Sequence, residues 1–166
     1  MREGTATDLP RVSEIKVRSW ADTYGTLLDA KVLGPFLDPE LQLKELHEAV
    51  ALPGTLLLVA VDRTNAVAGF GLTYVTREPE PWLESLHVPG ELRGHGIGTL
   101  LMRSTAAHLR ARGYDSMRLG VIAGNEAAAR FYERLGGSLI GLEPVSWAEA
   151  MHQVYRWPSL KQLAAA

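Results

Sequence analysis

Apolar residues recur at helical spacing in two stretches of the first third of the chain. Residues 7–24 carry an imperfect apolar stripe, for which Thr7 or Asp8 would serve as the N-cap. Residues 39–51 form the second stretch, where Pro39 suits the first turn of a helix. The pattern therefore predicts two helices before the first long strand.

The middle of the chain changes to short runs rich in Val, Leu, Phe, Thr and Tyr, which favour strands. Residues 55–61 and 66–76 are joined by a short polar segment, a pattern that predicts an antiparallel hairpin. Residues 82–88 follow a break at two prolines and predict a further strand. Three successive strands are thus expected after the two helices.

Helical and strand-like segments alternate in the second half. Residues 97–112 place apolar side chains at helical spacing, and Gly113 stands where a C-terminal cap belongs. After this helix we predict a strand, a helix and two strands: residues 116–122, 125–135, 138–142 and 152–157. Residues 143–151 match no simple pattern, and the tail at 160–166 is predicted to be frayed.

This order of elements predicts an α/β (α+β) fold with a mixed sheet rather than a purely parallel one. The chain has 166 residues, of which 46% are hydrophobic, enough for the core of one domain. No repeat or linker divides it. We therefore expect a single domain over residues 1–166.

Composition excludes several classes of protein. The formal charge of −2 gives no field that would favour nucleic acid or an anionic membrane surface. The absence of cysteine removes disulfides, thiolate zinc sites and a cysteine nucleophile, and it fits a reducing compartment. The longest apolar run, residues 56–61, is far shorter than the ~20 residues of a membrane span, and no signal-peptide core precedes it. We expect a cytoplasmic protein with no metal, nucleic-acid or membrane partner.

A glycine-rich loop separates the strand at 82–88 from the helix that follows. Gly94, Gly96 and Gly98 allow tight turns that direct backbone N–H groups at one anion, and the helix start adds unpaired donors. This favours a pyrophosphate site, although an ordinary glycine-rich turn has a similar sequence. Thr99 stands where a dinucleotide fingerprint needs glycine, and the Gly-Lys-Ser/Thr ending of a nucleoside-triphosphatase loop is absent.

Two parts of the chain resemble the GCN5-related N-acetyltransferases, the GNAT family. Arg93, Gly96 and Gly98 match that family's signature of Arg or Gln, two residues, Gly, one residue, then Gly or Ala. Residues 119–137 resemble the strand and helix that follow in the family. Ser19-Trp20 and Tyr24 also resemble a pattern in the first helix of many small members.

The resemblance implies a mostly antiparallel sheet of six to seven strands, flanked by about four helices, with a cleft where the fourth and fifth strands splay apart. It implies transfer of an acetyl group from acetyl-coenzyme A to a primary amine of a small molecule or peptide, by direct attack in a ternary complex. The residues implied in coenzyme binding are Leu86, His87, Val88, Arg93, Gly94, His95, Gly96, Ile97, Gly98, Thr99, Asn125 and Tyr132.

Within that set, the backbone carries most of the expected contacts. Amides from Arg93 to Gly98 would bind the pyrophosphate, and the backbone of residues 86–88 would bond the pantetheine arm like an added strand. The side chains of Arg93 and His95 would either touch phosphate oxygens or be solvated. The Val88 N–H would hold the oxyanion.

The reaction also needs a base, because an alkylamine with a pKa of about 10.4 is charged at neutral pH. Strand periodicity puts Trp82, Glu84 and Leu86 on one face, and Glu84 falls where some family members have a general base. Others use the residue two earlier, here Trp82. Glu84 is therefore the candidate base, acting directly or through water, unless it is a solvated or arginine-paired carboxylate.

Tyr132 is the candidate acid. A phenol stays protonated at pH 7 and can give its proton to a thiolate whose conjugate acid has a pKa of about 8.5. The alternative is a tyrosine that packs on the sheet. Asn125 would bond the coenzyme or a water, or act as a helix N-cap, and these two roles are compatible.

The acceptor is not specified by the sequence, although its pocket would be built mainly by residues 20–40, 76–82 and 143–151. Trp20, Tyr24 and Trp82 are candidates for its pocket, although Trp20 and Tyr24 at this helical spacing are equally typical of a core. Three acidic residues in the same part of the chain would attract a cationic amine or simply be solvated: Asp22, Asp29 and Asp38. Acyl-chain length also stays open, and a homodimer paired through the last strands is plausible.

Two other functions remain possible from the sequence. A non-catalytic acyl-coenzyme A-binding sensor or interaction module would need only the loop and its helix. A nucleotide-binding protein would use the same loop, and ATP would then compete with coenzyme A. Neither alternative requires Glu84 or Tyr132.

Overall fold

The computed structural model describes residues 1–165; Ala166 lies outside the described residues. The helices are α1 (Leu9–Tyr24), α2 (Ala30–Leu33), α3 (Pro39–Ala51), α4 (Ile97–Ala111), α5 (Glu126–Arg134) and α6 (Lys161–Ala165). The strands are β1 (Arg2–Glu3), β2 (Thr55–Val61), β3 (Val67–Tyr74), β4 (Trp82–His87), β5 (Met117–Ile122), β6 (Ser138–Pro144) and β7 (Met151–Trp157). None of the helices within residues 1–165 has both the length and the apolar character needed to cross a membrane.

All strands belong to one sheet, in the order β1-β2-β3-β4-β5-β7-β6. Every neighbouring pair is antiparallel except β4 and β5, which are parallel. The predicted mixed, mostly antiparallel sheet is confirmed. The structure adds two short helices, α2 and α6, to the four that were expected.

The central pair of strands separates soon after it meets. Only Trp82 with Arg118 and Leu83 with Leu119 are paired between β4 and β5. Beyond these residues the two strands diverge and leave a gap in the middle of the sheet. This is the splayed cleft that the resemblance implied.

A β-bulge in β4 changes which side chains share a face. Leu83 pairs with Thr73 and Ser85 pairs with Leu72, so Glu84 is the extra residue of β4. As a result Leu83 and Leu86 pack into the same core. The expectation that Leu86 shares a face with Trp82 and Glu84 is therefore wrong, because the bulge reverses the alternation that it assumed.

Each face of the sheet has its own apolar core. On one face, α4, α5 and α6 cover a cluster that includes Leu58, Met102 and Trp157. On the other, α1 and α3 cover a cluster that includes Ile15 and Phe70. The gap between β4 and β5 therefore opens between two packed layers that hold its walls in place.

The tail provides a correction. Leu160 is fully buried and Leu163 is 6% exposed, both in the core that contains Leu101 of α4. A helix this short has no stability of its own, so packing of these leucines against α4 maintains it. The predicted fraying is wrong for residues 160–165 because local sequence does not reveal that contact.

The N-terminal strand also depends on a tertiary contact. The Arg2 guanidinium donates to both carboxylate oxygens of Asp8, at 2.7 and 2.8 Å. Asp8, just before α1, is 7% exposed. This ion pair holds β1 against the first turn of the helix, and two residues carry no periodicity from which the strand could be predicted.

Glu80 joins three strands at the closed end of the cleft. Arg156 of β7 donates to its carboxylate from two guanidinium nitrogens, at 2.6 and 2.9 Å. Arg118 of β5 lies 3.3 Å from the same group, and the Glu80 side chain is 14% exposed. The backbone N–H of Arg118 also donates to the Pro81 carbonyl, at 2.9 Å. The start of β4 is thereby fixed to β5 and β7.

We expect Glu80→Gln to lower the free energy of unfolding by about 1–3 kcal/mol at pH 7, because two arginines lose a charged partner. The hydrogen bonds from Arg156 hold the pKa of Glu80 below its usual range. Such a carboxylate stabilises the fold above its unfolded-state pKa of about 4.3, and this contribution disappears as pH falls through the lower folded-state pKa. Urea unfolding at pH 7 and below pH 4 measures both effects.

Glu78→Gln is the matched control, because Glu78 is exposed and lies two residues before Glu80. The difference in the free energy of unfolding between the wild type and Glu80→Gln should become smaller as the pH falls. Equal stability losses for the two variants at pH 7 would show that the Glu80 contacts do not stabilise the fold.

Candidate active site

A cavity of about 1020 Å³ lies where β4 and β5 separate. Its walls come from α1, β4, the loop before α4, β5 and α5. All sequence-predicted site residues except His95 line it. The structure thus brings together residues that are more than 100 positions apart in the chain, from Trp20 to Tyr132.

The second half of β4 presents a free edge to this cavity. Pairing with β5 ends at Leu83, whereas pairing with β3 on the other side continues to His87. Among residues 1–165, no strand pairs with residues 84–87 on the cleft side. An edge of this kind accepts an extended ligand through backbone hydrogen bonds.

The loop before α4 presents a set of free donors at the mouth of the cleft. Within residues 1–165, the N–H groups of residues 94–99 donate to no protein acceptor. Gly94 and Gly96 have φ of 80° and 82°, a left-handed conformation that side-chain-bearing residues rarely adopt. With the N-terminus of the 15-residue helix α4 behind them, these amides form a site for an anion.

At Gly98, packing against α5 and not backbone conformation accounts for the glycine. A Cβ atom at this position would lie 3.2 Å from Cζ of Phe131 on α5. The missing side chain therefore lets α4 and α5 approach closely at the mouth of the cleft.

Arg93 and His95 occupy different environments. Arg93 donates from Nε to the Val88 carbonyl at 3.0 Å and from its terminal nitrogen to Ser19 Oγ at 3.1 Å. Its side chain thus braces the loop against β4 and α1. His95 is exposed, its Nδ1 is 3.0 Å from the Arg93 carbonyl, and it does not line the cavity.

Tyr132 packs in the core and also faces the cavity, and its role as an acid stays a prediction. Its ring packs edge-on against Trp157, with centroids 6.0 Å apart, and it is only 8% exposed. Its side chain also lines the cavity. Burial raises the pKa of Tyr132, and the nearby Tyr24 adds to the effect, so the phenol is protonated at neutral pH.

Asn125 links α5 to α1 across the cleft. Its Oδ1 accepts a hydrogen bond from the Ala128 N–H at 3.2 Å, which is an N-cap contact. Its Nδ2 donates to the Tyr24 hydroxyl at 3.2 Å. Burial raises the pKa of Tyr24, partly offset by this bond. The N-cap role is confirmed, and the side chain has a second protein partner that the sequence did not suggest.

Glu84 lines the cavity with one oxygen already engaged. Trp82 Nε1 donates to its Oε2 at 2.8 Å. Arg77 lies 4.3 Å above the Trp82 ring and 3.9 Å from Glu84. The carboxylate thus faces the cleft and lies near an arginine, and its role as a base stays a prediction.

The aromatic wall of the cleft is larger than the sequence suggested. The Trp20 ring stacks on Phe36 with centroids 3.9 Å apart and an interplanar angle of 4°. Trp147, from the unpatterned segment before β7, packs edge-on against Phe36 at 4.8 Å. A tryptophan in a segment without periodicity was the available signal for this residue.

Two basic side chains of the cleft have lowered pKa values: Lys16, which was not predicted from the sequence, and His87, which was. Lys16 of α1 lines the cavity, and burial lowers its pKa, opposed by Glu45 and Glu84. Burial, followed by the charges of Lys16 and Arg93, lowers the pKa of His87 to about 3. His87 is therefore neutral at physiological pH, and no sequence pattern indicates either effect.

The acidic residues near α1 separate into two groups. Asp22 lines the cavity. Asp29 and Asp38 instead cap α2 and α3, accepting backbone N–H groups at 2.8 and 3.0 Å. Of the three, Asp22 alone is placed to meet a cationic ligand. No group of three His, Asp or Glu side chains within residues 1–165 is arranged to hold a metal ion.

The family follows from sequence comparison. The sequence model of the acetyltransferase (GNAT) family matches residues 16–137, which include the loop, the free strand edge and most of the residues that line the cleft. The chain belongs to this family.

Curated relatives match this chain over part of their length. Mycothiol acetyltransferase of Saccharopolyspora erythraea is 30% identical over 133 residues, which cover 79% of this chain and 40% of that protein. Streptothricin acetyltransferase of Streptomyces lavendulae is 32% identical over 102 residues, which cover 58% of this chain and 54% of that protein. The chain thus aligns with about half, or less, of the length of each of these relatives.

Solved structures show the same fold. The PaiA N-acetyltransferase of Thermoplasma acidophilum, solved in complex with coenzyme A, superimposes with a TM-score of 0.75 over 93% of this chain and 95% of that one. The two sequences are 19% identical. The similarity therefore establishes the architecture, including the splayed sheet.

Proposed function

We propose that this chain is an N-acetyltransferase that transfers an acetyl group from acetyl-coenzyme A to a primary amine of a small molecule or peptide. The observation that carries the proposal is the row of free N–H groups at residues 94–99, placed at the mouth of a cleft with a free strand edge. Membership of the acetyltransferase family supports the same reaction.

The loop and β4 fit the two polar parts of the coenzyme. Backbone amides at residues 94–99 match a pyrophosphate, because several donors converge at a helix N-terminus. The free edge of β4 at residues 84–87 matches the amides of a pantetheine arm. When bound there, the coenzyme supplies the acetyl group as a thioester.

Tyr132 and Val88 have complementary parts in the proposed reaction. The Val88 N–H donates to no protein acceptor within residues 1–165 and is free to bind the carbonyl oxygen as negative charge develops on it. Tyr132 keeps its proton at neutral pH and donates it to the departing thiolate. We propose direct attack within a ternary complex, and the single continuous cavity supports it because both substrates would have room there together.

The part of the cleft proposed for the acceptor is aromatic and carries a carboxylate. Trp20, Phe36 and Trp147 supply flat apolar surfaces, while Glu84 supplies negative charge. These features suit a cationic amine attached to an apolar or cyclic group. Relatives named for mycothiol, streptothricin and, in Bos taurus, thialysine differ in acceptor, so we propose the amine class and not one compound.

The outer edge strand supports a homodimer. All residues of β6 are exposed, and Leu139, Ile140 and Leu142 are 50%, 50% and 60% exposed. An edge strand with three exposed apolar side chains is a site for pairing with another copy of the same chain. We propose that two copies associate through β6.

The dimer has a direct test. Leu142→Glu places a charge in the proposed interface and should convert a dimer to a monomer in analytical ultracentrifugation, with the fold unchanged because the side chain is exposed. Leu52→Glu is the control, since Leu52 is 56% exposed and lies outside β6. A wild type that sediments as a monomer at all concentrations would contradict the proposal.

Replacement of Gly96 tests the coenzyme site. Gly96→Ala puts a side chain where φ is 82°, which costs about 1 kcal/mol or more and reorients the free amides. We expect the dissociation constant for coenzyme A, measured by calorimetry, to rise about 10-fold or more.

Gly113→Ala is the matched control, because Gly113 also has a positive φ, of 88°, and no atom lies within 4 Å of a Cβ built there, but it follows α4 and does not line the cavity. Unchanged affinity in Gly96→Ala would show that the loop does not bind the coenzyme. ATP is added as a competitor in the same experiment. Displacement of coenzyme A by ATP at similar concentration would favour the nucleotide-binding alternative.

Turnover tests the proposed function itself. Thiol release from acetyl-coenzyme A is followed with polyamines, amino acids, aminoglycosides and peptides. We expect saturable turnover with at least one amine, and a fall in kcat of about 10²-fold or more in Tyr132→Phe, because the thiolate loses its proton donor.

Tyr114→Phe is the control for this variant, since Tyr114 packs against the same core but does not line the cavity. Equal kcat values for Tyr132→Phe and the wild type would remove Tyr132 from the mechanism. Binding of coenzyme A without turnover of any amine would favour a non-catalytic sensor.

A further inference from the structure

His152 lies on the wall of the cleft and has no part in the roles described so far. It is on β7, opposite Ile122 of β5. A Cβ atom at Gly120 would lie 2.7 Å from Cγ and Nδ1 of the His152 ring. Because Gly120 has no side chain, the imidazole rests directly on the β5 backbone beside the gap between β4 and β5.

The ring is close to the acceptor end of the site. Its centroid is 6.4 Å from that of Trp82, whose indole N–H donates to Glu84. His152, Trp82 and Glu84 all line the same cavity. Trp82 thus connects the imidazole on one wall to the carboxylate on the other.

The charged groups around His152 come from three elements. Glu84 lies on β4, Glu143 on β6 and Arg77 in the segment before β4. Burial lowers the pKa of His152, and Arg77 lowers it further, whereas the two glutamates oppose the shift. The ring is therefore neutral at pH 7, and a proton taken up there would be stabilised by nearby carboxylates.

The imidazole is also free to react. Within residues 1–165, the rings of His95 and His108 are hydrogen-bonded, but that of His152 is not. The other bases of the cleft are less suitable. His87, with a pKa of about 3, is too weak a base, and Glu84 is engaged by the indole of Trp82.

We propose that His152 is a catalytic residue of the acetyl transfer, taking the proton from the ammonium group of the acceptor while Glu84 holds that group in the cleft. This role of His152 rests on the proposed function. One N–H proton passes to the imidazole, and the neutral amine forms a C–N bond with the thioester carbonyl carbon as the C–S bond breaks. The thiolate takes the hydroxyl proton of Tyr132, and the second N–H proton of the amine then restores that hydroxyl. The imidazolium of His152 releases its proton to water.

The test is the pH dependence of kcat, measured with the amine of the panel that gives the highest wild-type turnover. In the wild type, kcat should increase with pH below about pH 6.5, because the His152 imidazole becomes neutral there, and should then level off. This rising part of the profile is the acidic limb. In His152→Gln we expect kcat to fall about 10²-fold at pH 7. The logarithm of kcat should then rise with unit slope up to about pH 9, because only hydroxide or water is left to remove the proton.

Two further variants distinguish a role of His152 as a base from a role in packing alone. Glu84→Gln leaves His152 in place but removes a charge that raises its pKa, so the acidic limb should move to lower pH and persist. His47→Gln changes an exposed histidine on α3 and should leave the profile unchanged. Affinity for coenzyme A, measured in each variant, reports whether the cleft is still formed.

Three results would overturn the inference. The first is a His152→Gln enzyme that keeps the acidic limb, whatever its absolute rate, because a packing defect lowers kcat without changing the titrating group. The second is loss of the limb in Glu84→Gln, which would make Glu84 the base. The third is a wild type that acetylates no amine of the panel, and in that case the proposed function fails with it.

Discussion

The separation of β4 from β5 after two paired residues is the constraint on which the rest of the site depends. A sheet interior normally satisfies its backbone groups by pairing, so a gap leaves a free strand edge that a ligand can complete. The gap persists because its closed end is secured and its sides are packed. Glu80 binds Arg118 and Arg156 at that end, and an apolar core lies on each face of the sheet. Stability of the fold and access to the cleft are thus provided by different residues.

At the open end, the geometry depends on small side chains. Gly96 allows the left-handed turn that frees the amides, and Gly98 lets α4 approach Phe131 of α5. Asn125 then ties α5 to Tyr24 of α1. The loop before α4 and the end of α1 are therefore connected through α5, so that a change in the position of α5 would alter both.

Burial explains the protonation states within the cleft. Tyr132 and Tyr24 keep their protons because burial disfavours a phenolate, while His87 and His152 stay neutral because burial disfavours an imidazolium. The site thus holds a proton donor and a proton acceptor that are both uncharged at pH 7. In the proposed acetyl transfer one proton leaves the nitrogen and another reaches the sulfur, and such a pair of groups would serve these two steps.

The sequence by itself determined the long helices, the main strands, the mixed sheet and the glycine-rich loop before α4, because periodicity, caps and glycine spacing act over a few residues. Only the tertiary structure decided the bulge at Glu84, the folded helix at residues 161–165, and the contacts of Arg93 and Asn125. It also decided that Trp147 and His152 reach the cleft while His95 does not. The physical reason is that burial, pairing register and contacts between distant segments depend on how the layers pack, and no local pattern encodes that packing.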